Sequence, residues 1–331
     1  MKISVATQIF LELSPTNINI IIILLSIIFV VGLIMNLLVL FFYAITPNMR
    51  SINNYFHMNV MLANLLCLCY NIPVQISYYL SYKQNQNVHM GISVCKLFLA
   101  LMIIHSTVIG YTIVAISYHR YTTVKNSLQK TFTEKRAAII IAMIWLFACL
   151  LAVPELIFTN TVTISSNLTI CTQAFPSDTS KIVSYISINM LSFVLPLVWI
   201  VFTNLLMGYK VQKKFNKIRM MKGGLASSLS KSSSFNIGQT PVKVFSPVQF
   251  RLLKLTTALA IAYVICFIPT RIYDIVIAFI VPISNDTKRE LTAIHVVCTF
   301  LYYANAAINP ILYASLCHRF RVKLYQLICC S

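Results

Sequence analysis

The stretch that decides the fold of this chain runs from Cys95 to Tyr121 and reads CKLFLALMIIHSTVIGYTIVAISYHRY. Its interior is apolar or small, and it ends in His119-Arg120-Tyr121. As an α-helix, the segment from Cys95 to Arg120 would be about 37 Å long, whereas the hydrocarbon core of a bilayer is about 30 Å thick. The stretch therefore predicts a membrane-spanning helix with Cys95 beyond one face and Arg120 at the other.

The composition of the whole chain indicates a membrane protein that crosses the bilayer several times. Of its 331 residues, 58% are hydrophobic and 10% are charged, and the mean hydropathy is +0.80. An average soluble domain is about 25% charged, so too little polar surface remains to coat a soluble globule. The formal net charge of +19 is then a signal of membrane topology, and nucleic acid binding is not needed to explain it.

Apolar stretches of about 20 residues or more, the length needed to span a membrane, occur seven times. They lie at about 18–43, 54–80, 93–119, 137–158, 182–207, 252–281 and 291–315. Backbone polar groups cannot stay unpaired in lipid, and segments of this length indicate helices, not barrel strands. We therefore predict an all-α fold, with a seven-transmembrane helix bundle over 18–315, an outer N-terminal segment at 1–17 and an inner tail at 316–331. Prolines are expected to kink five of the helices: Pro73, Pro154, Pro196, Pro269 and Pro310.

The distribution of charge predicts the orientation. With the N-terminus outside, four segments face the inside: about 44–53, 120–136, 210–254 and 316–331. They hold 19 of the 26 Lys and Arg residues, and Glu134 is the one acid among them. Because Lys and Arg concentrate on the cytoplasmic side, we expect a multi-pass plasma-membrane protein with its N-terminus outside.

Two kinds of modification are predicted from this topology. The sequons at Asn167 and Asn285 fall in outer loops, where N-glycosylation is expected. Residues 316–328 alternate apolar and basic side chains at helical spacing, which predicts a short amphipathic helix on the inner membrane surface. Cys329 and Cys330 follow this helix and are predicted palmitoylation sites, the alternative being two unmodified thiols.

The landmarks along the seven segments together resemble a rhodopsin-like (class A) G protein-coupled receptor, and the peptide-receptor type is most similar. Their order and spacing carry the resemblance over nearly the whole chain: Asn36; Asn54 with Ala63-Asn64-Leu65; Cys95 and Arg120-Tyr121; Trp145 with Pro154; Pro196; Cys266-Phe267-Ile268-Pro269; and Asn309-Pro310-Ile311-Leu312-Tyr313. The resemblance implies a receptor, not an enzyme, that binds an extracellular ligand and activates a heterotrimeric G protein. Arrestin and membrane lipid are further implied partners, and no cofactor or metal is expected.

The resemblance also implies a disulfide between Cys95 and Cys171. Such a bridge would hold the second outer loop across the mouth of the ligand pocket. Both cysteines are predicted on the oxidising side of the membrane, where disulfides persist. The alternative is a pair of free thiols.

The residues that would couple the ligand to the G protein depart from the family pattern. Arg120 and Tyr121 match it, but His119 stands where an acid usually restrains the arginine. Gln249 stands where many relatives place a second acid on the sixth helix. We expect weak restraint of the inactive state and raised basal signalling. Asn204 replaces a fifth-helix tyrosine that supports the active state in the family. The alternative is therefore that basal signalling is not raised.

The seventh segment carries Asn309-Pro310-x-x-Tyr313, which matches the motif that rearranges on activation. The alternative interpretation is a proline-kinked helix with a buried, hydrogen-bonded asparagine. Asn64 replaces the family's buried acid, and Ile109 replaces the hydroxyl beside it. Sodium needs hard oxygen ligands and negative charge, so sodium control is not expected here.

The implied ligand site lies between the outer ends of helices three, five, six and seven. Its predicted residues are Leu99, Met102, Ile103, Ser106, Phe267, Arg271, Asp274, His295 and Thr299, with Lys96 and Glu155 at the rim. Met102 stands where amine receptors carry their aspartate, so an amine ligand is not expected. Arg271 and Asp274, one helical turn apart, either contact the ligand or pair with each other. His105 is interpreted as a hydrogen-bonded core histidine.

The overall pattern favours a peptide ligand. One alternative is a receptor of the same fold for a nucleotide or an acidic lipid, with Arg271 as the anion contact. An alternative of another class is a membrane transporter. Transporters are expected to show repeated halves and broken helices, and no internal repeat is visible in the sequence.

Overall fold

Seven long helices account for most of the computed structural model, which describes residues 14–47, 52–84, 88–89, 91–125, 133–165, 168–229, 247–279 and 285–329. The helices are α1, Pro15–Ile45; α2, Ile52–Leu66 continued by a π-helical turn at Cys67–Asn71 into Ile72–Lys83; α3, Ile92–Lys125; α4, Glu134–Phe158; α5, Asp178–Asn189 continued by a π-helical turn at Met190–Val194 into Leu195–Leu229; α6, Pro247–Phe279; and α7, Asn285–Leu316. All seven are long and apolar enough to cross a membrane. The predicted seven-helix bundle is therefore confirmed.

Polar caps extend the helices beyond their apolar spans. α1 begins at Pro15, earlier than the predicted residue 18, because the Ser14 side chain accepts a hydrogen bond from the Asn17 backbone N–H at 3.3 Å. Proline at the first helical position needs no such partner. Thr133 caps α4 in the same way through the Arg136 N–H. These caps satisfy donors that a helix start leaves unpaired.

The bundle exposes many large apolar side chains and, beside its apolar core, buries several polar ones. Asn36, Asn64 and Asn309 are fully buried, whereas Leu205 is 69% exposed. Exposed Leu and Ile side chains cover the outer faces of α1, α4 and α5, where they suit contact with lipid. α3 packs against α2, α4, α5 and α6. The stretch from Cys95 to Tyr121 is thus the centre of a multi-pass membrane protein.

A small sheet was missing from the all-α prediction. Strands β1 (Val88–His89), β2 (Thr159–Ser165) and β3 (Leu168–Gln173) pair in the order β1-β3-β2, and β2 and β3 run antiparallel. β2 and β3 are rich in Thr, Val and Ile, which favour strands. These strand-favouring residues are visible in the sequence, but the segment is short and lies between two long apolar helices.

A π-helical turn precedes each of Pro73 and Pro196. Proline has no N–H, so a carbonyl of the turn before it loses its helical donor. The Leu195 N–H bonds to the Met190 carbonyl five residues earlier, and in the same register Pro196 frees the Leu191 carbonyl. The Tyr111 hydroxyl of α3 donates to Leu191 at 2.8 Å, and the Tyr263 hydroxyl of α6 donates to the Ser192 carbonyl at 3.4 Å. Side chains from two neighbouring helices thus take over backbone contacts.

Pro154, Pro269 and Pro310 lie inside α4, α6 and α7. Pro310 frees the carbonyl of Ala306. The Asn36 side chain of α1 donates to that carbonyl at 2.8 Å. The first and seventh helices are therefore joined at the proline, and the family landmark Asn36 has a structural explanation.

A short helix, α8 (His318–Cys329), follows α7 and confirms the predicted tail helix. Phe320 is fully buried and packs on the rings of Phe42 and Tyr313, with centroids 5.1 and 5.9 Å away. Val322 and Tyr325 are exposed. One aromatic residue thus anchors α8 to α1 and α7 while apolar side chains remain on its surface.

Candidate functional site

A cavity of about 280 Å³ lies at the end of the bundle where α3 begins. Its wall is formed by α2 to α7, β3 and the residue Phe175: Gln75, Tyr78, Phe98, Leu99, Met102, Ile103, Glu155, Cys171, Thr172, Gln173, Phe175, Ser184, Tyr185, Ile188, Asn189, Thr270, Arg271, Tyr273, Asp274, His295, Cys298, Thr299, Tyr302 and Tyr303. Apolar walls with a few convergent polar groups are typical of a ligand site.

The hairpin of β2 and β3 forms the rim of this cavity. A disulfide joins Cys171 of β3 to Cys95 at the start of α3, as the resemblance implied. Thr172 and Gln173 continue along the cavity wall. The bridge therefore fixes the hairpin across the cavity mouth, on the same face as Cys95.

Arg271 lies at the inner side of the cavity and is 6% exposed. Its Nη2 donates to the Ser106 hydroxyl at 2.5 Å, and its Nη1 lies 3.8 Å from Asp274 Oδ2. The two possibilities for Arg271 and Asp274, pairing and ligand contact, are thus not exclusive. They form an ion pair, and both also line the cavity.

Glu155 of α4 forms the opposite polar wall and is 7% exposed. Its Oε2 accepts hydrogen bonds from Gln173 at 2.5 Å and from Thr159 at 3.5 Å. The Tyr185 hydroxyl in turn donates to the Gln173 side-chain oxygen. This chain of contacts fixes the carboxylate against β3 and α5.

Seven of the nine predicted ligand residues line the cavity: Leu99, Met102, Ile103, Arg271, Asp274, His295 and Thr299. Ser106 and Phe267 lie beneath it. Ser106 supports Arg271, and Phe267 is fully buried with its ring 5.2 Å from that of Tyr302. Lys96 is not among the lining residues, unlike Glu155. Ligand contact by each of these residues stays a prediction.

Several lining residues were missing from the sequence-based set. Gln75, Gln173, Tyr185 and Asn189 all bring polar atoms to the wall. Gln75 and Asn189 carried a signal, because a buried amide in an apolar span needs a partner or a function. No sequence feature pointed to Gln173 and Tyr185, since only the fold of the hairpin brings them together.

Below the cavity, His105 joins a line of buried polar groups. His105 Nδ1 lies 3.0 Å from the Tyr302 hydroxyl, and Nε2 lies 3.3 Å from Asn64 Oδ1. Asn64 Nδ2 donates to Asn36 Oδ1 at 3.1 Å. The Met102 carbonyl oxygen lies 2.8 Å from the Tyr302 hydroxyl and is an alternative acceptor for its single proton. The interpretation of His105 as a hydrogen-bonded core residue is confirmed.

The contacts of Asn36 determine which atom donates and which accepts in each of these hydrogen bonds. Asn36 Nδ2 donates to the carbonyls of Gly32 and Ala306, each at 2.8 Å, so its Oδ1 must accept. Asn64 then donates from Nδ2 and presents Oδ1 to His105. A carboxamide oxygen is an acceptor only, so His105 Nε2 carries a proton. A continuous polar line therefore runs from the cavity residue Tyr302 to the carbonyl that Pro310 frees.

At the other end of α3, Arg120 is 5% exposed. Its Nε, Nη1 and Nη2 have no hydrogen-bond partner within the residues that the structure describes. Next to it, Lys210 of α5 donates to the Tyr121 hydroxyl at 3.0 Å. His119 is half-buried, and the side chain of Gln249 lies outside the described residues. The guanidinium is thus desolvated without a visible restraint in the described part of the chain.

The α7 motif is held by neighbouring side chains. Asn309 Nδ2 donates to Asn305 Oδ1 at 2.8 Å, and the Tyr43 hydroxyl donates to Tyr313 at 2.7 Å. Asn204 on α5 is engaged elsewhere, because its Nδ2 donates to the Ile200 carbonyl at 2.8 Å. Tyr313 is therefore fixed by α1 in this state, and the activation roles of these residues stay predictions.

The predicted modification sites lie at the ends of the described segments or outside them. Asn167 and Cys330 lie outside the described residues. Asn285 begins α7 and Cys329 ends α8, but their side chains are not described. Glycosylation and palmitoylation stay predictions. Among the described residues, no group of three His, Cys, Asp or Glu side chains is placed to hold a metal ion.

The chain is similar in sequence to several known receptors. The chain is 23% identical over 314 residues to the substance-P receptor of Homo sapiens, covering 92% of this chain and 70% of that protein. It is 24% identical over 320 residues to the type-2 angiotensin II receptor of Homo sapiens, covering 94% and 80%. It is 26% identical over 299 residues to the tachykinin-like peptides receptor 99D of Drosophila melanogaster, covering 86% and 52%.

A family-wide comparison covers most of the bundle. The sequence profile described as 7 transmembrane receptor (rhodopsin family) matches residues 35–313. This range begins beside Asn36 and ends at Tyr313, so it includes the disulfide, the cavity residues of α3 to α7, Arg120 and the α7 motif. The chain belongs to the rhodopsin family of seven-transmembrane receptors.

Proposed function

We propose that this protein is a cell-surface receptor that binds an extracellular peptide and activates heterotrimeric G proteins. One observation carries the proposal. A ligand-sized cavity, with a disulfide-fixed hairpin at its rim, is joined by buried polar contacts to the α7 proline. A ligand that favours one packing of these helices would shift the population between two states.

The peptide nature of the ligand is supported by the relatives and by the site. The tachykinin-like peptides receptor is named for peptides, and the cavity wall offers side-chain amides, hydroxyls and carboxylates among aromatic rings. The nucleotide or acidic-lipid alternative needs Arg271 as an anion contact. The Nη atoms of that guanidinium are already hydrogen-bonded to Ser106 and paired with Asp274, and its Nε alone lacks a partner among the described residues, so the site favours a peptide.

The plasma membrane with the N-terminus outside is the proposed location. It is supported by the 19 Lys and Arg residues in the four inner segments. The same rule makes α8 an inner-surface helix whose exposed Val322 and Tyr325 meet lipid. Arrestin would engage the same inner face as the G protein.

The test uses cells that express the full chain. An epitope tag at the N-terminus should be labelled by antibody on intact cells. A broad panel of synthetic peptides should then contain members that activate a G protein only in expressing cells. Arg120→Ala should be labelled at the surface equally but lose the response. Solute uptake without G protein activation would instead support a transporter.

A further inference from the structure

The described wall of the cavity holds two carboxylates and one guanidinium. Among its described lining residues, Glu155 and Asp274 are carboxylates, while Arg271 is the guanidinium and His295 the imidazole. Arg271 pairs with Asp274, which accounts for one acid. Glu155 forms no ion pair within the described part of the chain; Arg271 attracts it from a distance but is paired with Asp274.

The surroundings of Glu155 fix its carboxylate but do not neutralise it. Its hydrogen bonds come from neutral groups, the amide of Gln173 and the hydroxyl of Thr159, and both reach the same oxygen, Oε2. The side chain is more than nine-tenths buried. A buried carboxylate is costly unless it is paired as well as hydrogen-bonded. The cavity is the open side from which a cation can reach it.

A second acceptor in the same wall lacks a donor. Asn189 is 3% exposed, and its Nδ2 donates to the Tyr185 carbonyl at 2.9 Å. This bond fixes the orientation of the amide, so Oδ1 is the acceptor that remains. Within the described residues Asn189 Oδ1 is buried and has no hydrogen-bond partner. Both groups therefore call for a ligand that donates hydrogen bonds and carries positive charge.

We infer that Glu155 and Asn189 form a subsite for a basic group of the ligand, a guanidinium or an ammonium, with Asp274 contributing negative charge nearby. The inference rests on the proposed peptide-receptor function and specifies its ligand as a basic peptide. Lys and Arg supply only donors, matching the two acceptors. Arg271 attracts Glu155 electrostatically, but its Nη atoms are held by Ser106 and Asp274 and it forms no ion pair with Glu155 among the described residues.

The test measures binding to the purified full chain in lipid nanodiscs. Four libraries of short amidated peptides serve as probes, alike except for one feature. Three are N-acetylated and contain a fixed Arg, Glu or Gln, and the fourth contains Gln with a free amino terminus. The readout is the shift in thermal unfolding temperature on adding each library. G protein activation in cells is recorded in parallel.

The matched variants are Glu155→Gln and Glu290→Gln. The first keeps an acceptor for the Gln173 amide while removing the charge. The second removes a carboxylate that is exposed near the outer end of α7 and is not in the cavity wall. Equal unfolding temperatures without peptide would show that both variants fold. Asn189→Leu removes the second acceptor.

The Arg library should stabilise the wild type and Glu290→Gln, with binding about tenfold or more weaker in Glu155→Gln. Stabilisation by the free-amine library alone would assign the cation to the amino terminus. The inference is wrong if the Glu or acetylated Gln library stabilises as strongly, if no library does, or if Glu155→Gln keeps full binding. Binding of the basic library without G protein activation would contradict the proposed signalling but leave the subsite intact.

Discussion

His105 Nε2 lies 3.3 Å from Asn64 Oδ1 in the centre of the bundle. Both side chains are almost fully buried. The position where the family carries a buried acid therefore holds an amide, and a histidine from α3 fills the space beside it. With Tyr302 on the other imidazole nitrogen, this contact connects the ligand cavity to the core.

The first prediction concerns this contact. His105→Leu removes the partner of Asn64 Oδ1 and should reduce the free energy of unfolding by about 1–3 kcal/mol, because a buried acceptor is left unsatisfied. Asn64→Leu should cost a similar amount. The double variant should be less destabilised than the sum, by about 0.5–3 kcal/mol. Thermal unfolding of the purified receptor measures all three.

Asn71 provides the control for this cycle. It is fully buried and donates to the Phe98 carbonyl at 2.8 Å, without sharing a partner with His105. The losses in free energy of unfolding caused by His105→Leu and Asn71→Leu should add. If the losses caused by His105→Leu and Asn64→Leu also add, the contact between His105 and Asn64 contributes no coupling energy.

The second prediction concerns the restraint on Arg120. Its three nitrogens have no hydrogen-bond partner within the described residues, so an adjacent carboxylate should stabilise the inactive packing. His119→Asp should lower ligand-free signalling, and about 1.4 kcal/mol of restraint corresponds to about tenfold. His119→Asn, which adds no charge, should change it little. Ligand-free G protein activation at matched surface expression is the measurement, and unchanged basal activity in His119→Asp would contradict the restraint argument.

The third prediction concerns the close approach of α3 and α6. A Cβ added at Gly110 would lie 2.5 Å from the Tyr263 hydroxyl oxygen. Tyr263 is fully buried and also contacts the Ser192 carbonyl, so it has little room to move. Gly110→Ala should therefore destabilise the receptor by about 1–3 kcal/mol through overpacking.

Tyr263→Phe tests the cause of that loss. Removing the hydroxyl leaves Cζ as the nearest ring atom, 3.0 Å from the added Cβ. Gly110→Ala should then cost less in the Tyr263→Phe background than in the wild type. Gly208→Ala, where no atom lies within 4 Å, is the matched control. Equal costs in both backgrounds would rule out the steric explanation.

The fourth prediction concerns the hairpin. Cys95→Ser and Cys171→Ser should each reduce the free energy of unfolding by about 2–5 kcal/mol, and the double variant should be no worse than either single one. Peptide binding should also fall, because β3 supplies part of the cavity wall. Unfolding and binding measurements on non-reduced protein provide the check. Cys149→Ser, which removes an exposed free thiol, should leave both unchanged.

Much of the architecture was predictable because membrane insertion imposes simple rules. Seven apolar spans predicted the seven helices, whereas the orientation drawn from the charge bias stays a prediction. The stretch from Cys95 to Tyr121 was predictable as a spanning helix from its apolar interior and its length. The hairpin at the cavity rim was missed, since its strands pair, among the described residues, with each other and with β1, and a pairing partner is not visible in local hydropathy.

By itself, the sequence determined the fold class, the landmark residues of each helix and the departures at His119, Asn64 and Asn204. Only the tertiary structure decided which polar groups meet. It placed Arg271 against Ser106 and Asp274, gave Glu155 no ion pair among the described residues, and joined His105 to Asn64. The physical reason is that hydropathy acts along one helix at a time, whereas pairing of buried polar atoms depends on the relative rotation and depth of several helices.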